Sequence, residues 1–154
     1  MRKYKINHSR FRIYVFSFLL GLAPSVFTNA QSNKADTLGG IIVFEENGHG
    51  LIMMDKDLAH FNISNMMNWK EALDHCRKAN KNGYDDWRIP TKEEMLMILN
   101  NSRQNPEIKL KKGAFYWTVE EYDKKFAWAM LTENGQFSRI KKRYACYVRP
   151  VRNF

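Results

Sequence analysis

The stretch GYDDWRIPTKEEM, residues 83–95, constrains the fold of this chain more than any other. Pro90 forces the residue before it into an extended conformation, because the proline ring clashes with helical backbone angles at that position. Thr91 can then cap a helix, with Glu94 three residues on to complete a capping box. The stretch therefore predicts an extended corner that leads directly into a helix over residues 92 to about 100.

The same stretch admits a second interpretation, a catalytic or metal-binding loop around Asp85 and Asp86. Adjacent side chains of an extended segment point to opposite faces, so these carboxylates cannot easily share one proton or one ion. Asp86, beside Trp87 and Arg88, is instead expected to form a local salt bridge or to accept hydrogen bonds from backbone amides. We therefore interpret the motif as structural, and it comprises Asp86, Trp87, Arg88, Pro90 and Thr91.

The residues before this corner predict a hairpin and a first helix. Asn47-Gly48 lies between two apolar runs, which is typical of a tight β-hairpin turn. A loop over residues 55–67 follows. Asn68 and Glu71 form another capping box ahead of apolar residues at three- and four-residue steps, and Asn82-Gly83 is expected to end that helix.

The residues after the second helix have the composition of β-strands. Four short aromatic runs lie at 115–119, 126–131, 135–140 and 144–151, with Asn134-Gly135 marking a hairpin between the second and third. The plan is therefore a hairpin, two helices and a β-meander, which is an α+β domain with segregated helices.

The first thirty residues have the pattern of an export signal. Five basic residues and no acid surround or precede the apolar run from Ile13 to Val26, and small residues lead to a cleavage site after Ala30. The apolar run is too short to span a bilayer comfortably. We predict a signal peptide over residues 1–30, a flexible lead-in over 31–38 and one domain over 39–154. The chain would then be exported, to the periplasm, the cell surface or the medium, with no transmembrane segment after cleavage.

Removal of the leader changes the meaning of the charge. The chain has 25 Lys and Arg against 16 Asp and Glu, and the leader holds five of the basic residues. The remaining 20 basic and 16 acidic side chains leave a net charge of +4. This modest charge on an exported domain argues against nucleic acid as a partner.

Two cysteines, Cys76 and Cys146, remain after the leader is removed. In an oxidising compartment an even pair in a small domain is more often a disulfide than two thiols. The alternative is a pair of buried free cysteines.

The chain lacks the motifs of the common enzymes and metalloproteins. His49, His60 and His75 show none of the spacings of zinc sites, and no phosphate loop, dinucleotide fingerprint or nucleophile elbow is present. The sequence indicates no base that would activate Cys146 as a nucleophile. We therefore predict no cofactor, no metal and no catalytic residue.

A basic cluster near the end of the chain is the strongest candidate for binding. Residues 134–154 contain six Lys and Arg and no acid, and a turn at Lys141-Lys142 would gather the charges at a tip. They could simply keep a solvated hairpin end soluble. The functional alternative is a site for an acidic glycan. The candidate ligand-binding residues are the cations Arg139, Lys141, Lys142 and Arg143, with Trp117, Tyr122 and Trp128 as sugar-stacking faces.

Several motifs together resemble the bacterial Lcl C-terminal domain, a domain of unknown function found in a collagen-like adhesin. They include Asp86-Trp87-Arg88-Ile89-Pro90-Thr91, Tyr116-Trp117, Ala127-Trp128 with Asn134-Gly135, and the ending Tyr147-Val148-Arg149-Pro150-Val151-Arg152. The resemblance covers residues 39–154. It implies a C-type-lectin-like fold, in which two helices pack on a small twisted antiparallel sheet and the chain ends pair.

The resemblance also bears on the cysteines and on activity. In that fold a cysteine of the first helix commonly bridges to the last strand, which fits Cys76 and Cys146, although many relatives place the late cysteine where Pro150 stands. The Glu-Pro-Asn and Trp-Asn-Asp motifs of calcium-dependent lectins are missing. The RIPTKEE segment is similar to a corner of formylglycine-generating enzymes, but those enzymes use two close late cysteines.

These observations predict a non-enzymatic exported domain for binding or adhesion, with an acidic polysaccharide as its partner. The first alternative is a structural or assembly module that recognises an envelope protein. The weaker alternative is a formylglycine-generating-like oxidase, which would require Cys146 to be free, reachable and low in pKa.

Overall fold

The computed structural model describes residues 37–59 and 65–154, so the predicted signal peptide, most of the lead-in and His60 lie outside the described residues. Two helices are described, α1 (Trp69–Lys78) and α2 (Lys92–Asn101). The described strands are β1 (Ile41–Glu46), β2 (His49–Met53), β3 (Met66–Met67), β4 (Phe115–Glu121), β5 (Phe126–Leu131), β6 (Phe137–Lys141), β7 (Cys146–Tyr147) and β8 (Val151–Asn153).

The strands form two sheets, with orders β1-β2-β8 and β3-β7-β4-β5-β6. All pairings are antiparallel except that of β4 with β7, where Tyr116 lies opposite Tyr147 in a parallel bridge. Strand β8 pairs with β2, so the C-terminal end joins the N-terminal hairpin, as the resemblance implies. The α+β fold class, with two helices and small sheets, is confirmed, although the five-stranded sheet is mixed and not wholly antiparallel.

Both helices begin at the predicted caps. The side chain of Asn68 accepts the backbone N–H of Glu71, whose carboxylate accepts the N–H of Asn68 in return, and Thr91 and Glu94 exchange the same pair of bonds. The expected end of α1 was wrong. The helix ends at Lys78, and Asn82-Gly83 instead forms a separate tight turn, because both residues have positive φ (53° and 83°).

The first hairpin lies where it was predicted. Asn47 and Gly48 have φ angles of 53° and 83°, and the register places Glu46 opposite His49. Positive φ at both central residues is the geometry of a type I′ turn, whose twist matches that of the flanking strands.

The corner before α2 is bound to the last strand and to the helix that follows. Arg88 and Val151 exchange two backbone hydrogen bonds of 2.9 Å, which attach the corner to the last strand. The guanidinium of Arg88 donates to both carboxylate oxygens of Glu94 at 2.7 Å. Asp86 accepts from Arg152 at 2.6 Å. The expected local salt bridge of Asp86 was wrong, since its partner comes from β8, and Arg88 pairs with a residue of α2.

The last predicted strand is divided in the structure. Residues 144–151 were expected to form one run, whereas β7 and β8 belong to different sheets and are separated by the buried residues Val148, Arg149 and Pro150. Part of the predicted loop over residues 55–67 is also a strand, since β3 pairs with β7 through Met67 opposite Cys146.

The two helices pack on opposite sides of the five-stranded sheet. α1 contributes Trp69, Ala72 and Cys76 to a cluster with Trp117, whereas Met95 and Ile98 of α2 lie in a second cluster with Tyr116 and Met130. Strand β4 is therefore buried on both faces. Beyond the N-terminal end of α2 the outer part of the sheet is left open, and there the structure forms a groove.

Candidate ligand-binding site

The groove is lined by Tyr122, Trp128, Phe137, Ser138 and Arg139 and has a volume of about 570 Å³. Strands β5 and β6 position most of it, because their register sets Trp128 opposite Arg139 and directly opposed side chains share one face of a sheet. Tyr122 follows the end of β4. We call this site the aromatic groove.

Two aromatic rings and one cation form its outer end. The rings of Tyr122 and Trp128 meet edge to face, with centroids 5.5 Å apart and an interplanar angle of 88°. The guanidinium carbon of Arg139 lies 4.8 Å from the Tyr122 centroid, and its Nη1 donates to the Tyr122 hydroxyl at 3.0 Å. Both contacts hold the Arg139 charge beside the exposed ring.

Lys92 lies against two of the groove's rings, and the sequence did not identify it as a site residue. Its Nζ lies 3.5 Å from the centroid of Trp128 and 5.5 Å from that of Phe137. The capping box identifies Lys92 as the first residue of α2. Only the packing of α2 against β5 and β6 brings its ammonium group to these rings, and no local pattern encodes that packing.

The carboxylate of Glu120 binds the backbone of Lys92. Glu120 accepts the backbone N–H of Lys92 through Oε1 at 2.9 Å, and its buried Oε2 has no hydrogen-bond partner among the described residues. The helix N-terminus is therefore already occupied by a negative group of the protein itself. The positive charge of the groove comes from side chains and not from the helix end.

Trp117 does not belong to this site, and its assignment as a sugar-stacking residue was wrong. Its side chain is 0% exposed, and its Nε1 donates to the carbonyl of Met67 at 2.9 Å. Because β4 is covered on both faces, a tryptophan on this strand belongs to the core. Trp128 lies on the next strand, near the open end of the sheet, and keeps part of its ring accessible.

The basic cluster is divided by its contacts. Arg139 lies in the aromatic groove and Lys141 is exposed at the end of β6. Lys142 forms an ion pair with Glu121, and its Nζ lies 4.7 Å from the Trp69 centroid. Its charge is therefore engaged by the fold and is less available to a ligand than that of Arg139.

Arg143 and Tyr144 lie in the turn that follows β6. The N–H of Tyr144 donates to the carbonyl of Lys141 at 2.8 Å, which closes the turn one residue later than predicted. A hydrogen bond from Arg143, together with the positive charges of Lys141 and Arg143, lowers the pKa of the exposed Tyr144 hydroxyl. The turn gathers positive charge at a tip, next to the groove strand.

A larger cleft of about 900 Å³ lies elsewhere, between the first strand and the loop after α2. Four of its charged groups are paired, since Asp55 binds Lys81 and Asp57 binds Arg149, whereas Lys56, Glu107 and Lys109 form no ion pair among the described residues. In the aromatic groove, no described carboxylate lies within 4.0 Å of the charged nitrogens of Lys92 or Arg139. The groove therefore has positive charge available for a ligand, beside aromatic rings that the larger cleft lacks.

The cysteines have the opposite character from reactive thiols. In the structure Cys76 and Cys146 are both unbonded, and they lie in the same hydrophobic cluster with 1% and 2% exposure. Burial raises the pKa of each thiol to about 12. Cys146 thus fails two of the three requirements of the oxidase hypothesis, because it is neither reachable nor low in pKa. The disulfide stays a prediction.

Within residues 37–59 and 65–154, no three side chains of His, Cys, Asp or Glu are grouped so that they could hold a metal ion. In the same residues no helix is long and apolar enough to cross a membrane.

The fold and the groove define a small α+β domain with an open, cation-lined surface. The chain belongs to the Lcl C-terminal domain family, whose sequence profile matches residues 43–152. Membership of this family supports a role in binding or adhesion.

No curated protein sequence matches the chain. Among solved structures, the chain is similar to the crystal structure of botrocetin, with a TM-score of 0.44 and 13% identity over 72% of this chain and 95% of that one.

Proposed function

We propose that this domain is a non-enzymatic binding or adhesion module of the exported protein, and that it recognises acidic glycans. The observation that carries the proposal is the convergence of Tyr122, Trp128 and Arg139 in one open groove, with Lys92 against the Trp128 ring. These residues come from four separate parts of the fold, and their charges have no carboxylate partner among the described residues.

The two kinds of side chain suit two parts of an acidic sugar. The partly exposed ring of Trp128 and the exposed ring of Tyr122 offer flat apolar faces for the C–H side of a sugar. A guanidinium or ammonium group binds sulfate or carboxylate through charge-assisted hydrogen bonds, which are about twice as strong as neutral ones. Lys141 and Arg143 extend the positive charge along the end of β6, so these side chains could bind more than one sugar unit of a polymer.

Binding of the exported chain to dextran sulfate tests this proposal, with unmodified dextran as the neutral probe. We expect affinity for the sulfated polymer to fall as sodium chloride is raised from 50 to 500 mM, because exposed charges are screened within about 3–10 Å over roughly this range. We expect the paired substitution Arg139→Gln and Lys141→Gln to reduce affinity by about tenfold or more, since a hydrogen bond to a charged group contributes roughly 1.5–3 kcal/mol.

A matched control removes two exposed charges elsewhere. Lys111→Gln with Lys112→Gln changes the net charge equally but lies in the loop before β4, at the other end of the sheet from Arg139. We expect this control to bind nearly as well as the unmodified protein. Equal losses in both pairs would reduce the effect to net charge, and salt-independent binding would rule out an ionic site.

Glu120→Gln is expected to strengthen binding to dextran sulfate by about threefold, because it removes a negative charge close to the Lys92 end of the groove while keeping an oxygen for the Lys92 N–H. Isothermal titration calorimetry at 50 mM salt measures the change. Glu133→Gln, an exposed carboxylate after β5, is the control, and it should leave the affinity unchanged. Weaker binding by Glu120→Gln would contradict a cationic groove.

A further inference from the structure

The ammonium group of Lys92 covers the ring on which a sugar would stack. Its Nζ lies 3.5 Å from the Trp128 centroid, well inside the distance of about 6 Å within which a cation and an aromatic ring attract each other. Trp128 is partly exposed. A ligand that stacks on the face of Trp128 next to Lys92 must first displace the ammonium group.

The backbone of Lys92 is fixed, whereas the end of its side chain is not. The backbone N–H is bound to Glu120 Oε1 at 2.9 Å, at the first turn of α2. Among the described residues the ammonium group has no ion pair, and its contacts are with the rings of Trp128 and Phe137. Lys142, in comparison, is held by Glu121 as well as by its ring. Rotation of the Lys92 side chain therefore breaks only the ring contacts.

Neutral and acidic sugars differ in the new contact that they offer to the displaced ammonium group. A neutral sugar on Trp128 breaks the cation–ring contact and gives the ammonium group no charged partner. A sugar with a sulfate or carboxylate gives the displaced ammonium a charge-assisted hydrogen bond. Arg139 stays anchored by its bond to the Tyr122 hydroxyl, so a second cation remains at the other end of the ring pair.

We infer that Lys92 is a movable cap over Trp128 which makes the groove select acidic sugars over neutral sugars of the same shape. This inference rests on the proposed glycan-binding function. It assigns Lys92 two effects, one against neutral ligands and one in favour of acidic ligands, and both disappear together when the ammonium group is removed.

The test compares dextran sulfate with unmodified dextran on the exported chain carrying Lys92→Met. Methionine keeps a long, unbranched side chain and a good helix former at this position, but it has no charge. We expect affinity for dextran sulfate to fall about tenfold and affinity for dextran to rise about threefold. Lys92→Arg keeps the cation and should restore the selectivity.

Lys124→Met is the matched control, because it removes the same charge from the exposed loop that follows Tyr122. We expect it to lower affinity for dextran sulfate only slightly and to leave binding of dextran unchanged. Equal changes in affinity for both polymers in Lys92→Met and Lys124→Met would show that Lys92 is not a cap.

Tryptophan fluorescence provides a readout that needs no ligand. Trp69, Trp87 and Trp117 are buried, with exposures of 8%, 2% and 0%, so acrylamide quenching reports mainly on Trp128. Lys92→Ala, which removes the atoms that cover the ring, should increase the quenching constant, and Lys124→Ala should not. Unchanged quenching in Lys92→Ala would overturn the cap even if the protein binds glycans. A wild-type protein that binds neither polymer would instead overturn the proposed function, and with it the selectivity.

Discussion

Arg149→Met is expected to lower the free energy of unfolding by about 3–5 kcal/mol, because it removes one partner of a buried ion pair. Arg149 is 2% exposed, and its Nε donates to Asp57 Oδ1 at 2.8 Å. The other oxygen of Asp57 accepts the hydroxyl of Tyr116 at 2.9 Å. After the substitution this half-buried carboxylate keeps the tyrosine but loses its only ion-pair partner in the described part of the chain.

The same guanidinium also binds three backbone carbonyls. Nη1 donates to the carbonyls of Met54 and Asp55, each at 3.3 Å, and Nη2 donates to that of Lys109 at 2.7 Å. One side chain thus joins the segment after β2, the loop after α2 and the approach to β8. Methionine fills similar space but donates no hydrogen bond, so all three carbonyls lose this donor.

Urea unfolding followed by tryptophan fluorescence measures this loss. Arg103→Met is the control, since Arg103 is exposed in the loop after α2, and its effect should stay within about 0.5 kcal/mol. The double variant Asp57→Asn with Arg149→Met should be less destabilised than the sum of the two single changes, because the unpaired carboxylate is also gone. A loss of less than 1 kcal/mol for Arg149→Met would show that the carbonyls and Asp57 are satisfied by water.

The sequence predicted the parts of the fold that neighbouring residues decide. Thr91 and Glu94 are three residues apart and bond to each other, so the start of α2 could be read directly. Asn47-Gly48 fixed the first hairpin for the same reason, since the turn requires positive φ at two adjacent positions. In both cases the interacting groups lie within four residues, and the pattern contains the whole interaction.

Interactions between distant residues were not predictable in the same way. Arg149 and Asp57 are separated by 92 residues, and nothing near Arg149 distinguishes it from the exposed cations of the basic cluster. Trp117 and Trp128 occupy similar β-like runs, yet one is in the core and the other lines the groove, because β4 is central in its sheet and the end of β5 is left open. Local alternation gives the face of a side chain but not what covers that face.

The candidate site depends both on features that the local sequence shows and on long-range packing that it does not. Tyr122, Trp128 and Arg139 were found in the sequence by residue type, because aromatic and cationic side chains are those that an acidic sugar requires. The register of β5 and β6 brings Trp128 and Arg139 together, and a backbone hydrogen bond to Phe126 places Tyr122 beside them. Lys92 was missed because its part of the chain was explained by helix capping, and a residue at a helix start can serve the fold with its backbone and a ligand with its side chain.

Oxidation of Cys76 and Cys146 is expected to stabilise the domain by about 4 kcal/mol at pH 8, because the bridge would close a loop of about 70 residues in the unfolded chain. The expected pairing fits their burial in one cluster, between α1 and β7. Thiol titration of the protein denatured without a reducing agent tests the bridge, and two reactive thiols would contradict it. In the reduced, folded protein both thiols should resist a disulfide reagent at pH 8 and react only on unfolding, since each is almost fully buried.

Alkaline pH should increase the difference in stability between the reduced and the oxidised protein. Burial raises the pKa of each thiol from its usual 9.0 to about 12 in the folded protein. Well below pH 9 neither the folded nor the unfolded chain carries appreciable thiolate, and the thiols leave stability independent of pH. Between pH 9 and 12 mainly the unfolded chain ionises, so stability falls by about 1.4 kcal/mol per pH unit for each thiol. Burial also raises the pKa of Tyr116, but that group is present in both forms. Urea midpoints of the reduced and oxidised proteins should therefore diverge above pH 9, and parallel pH profiles would show that the thiols are already accessible to solvent in the folded state.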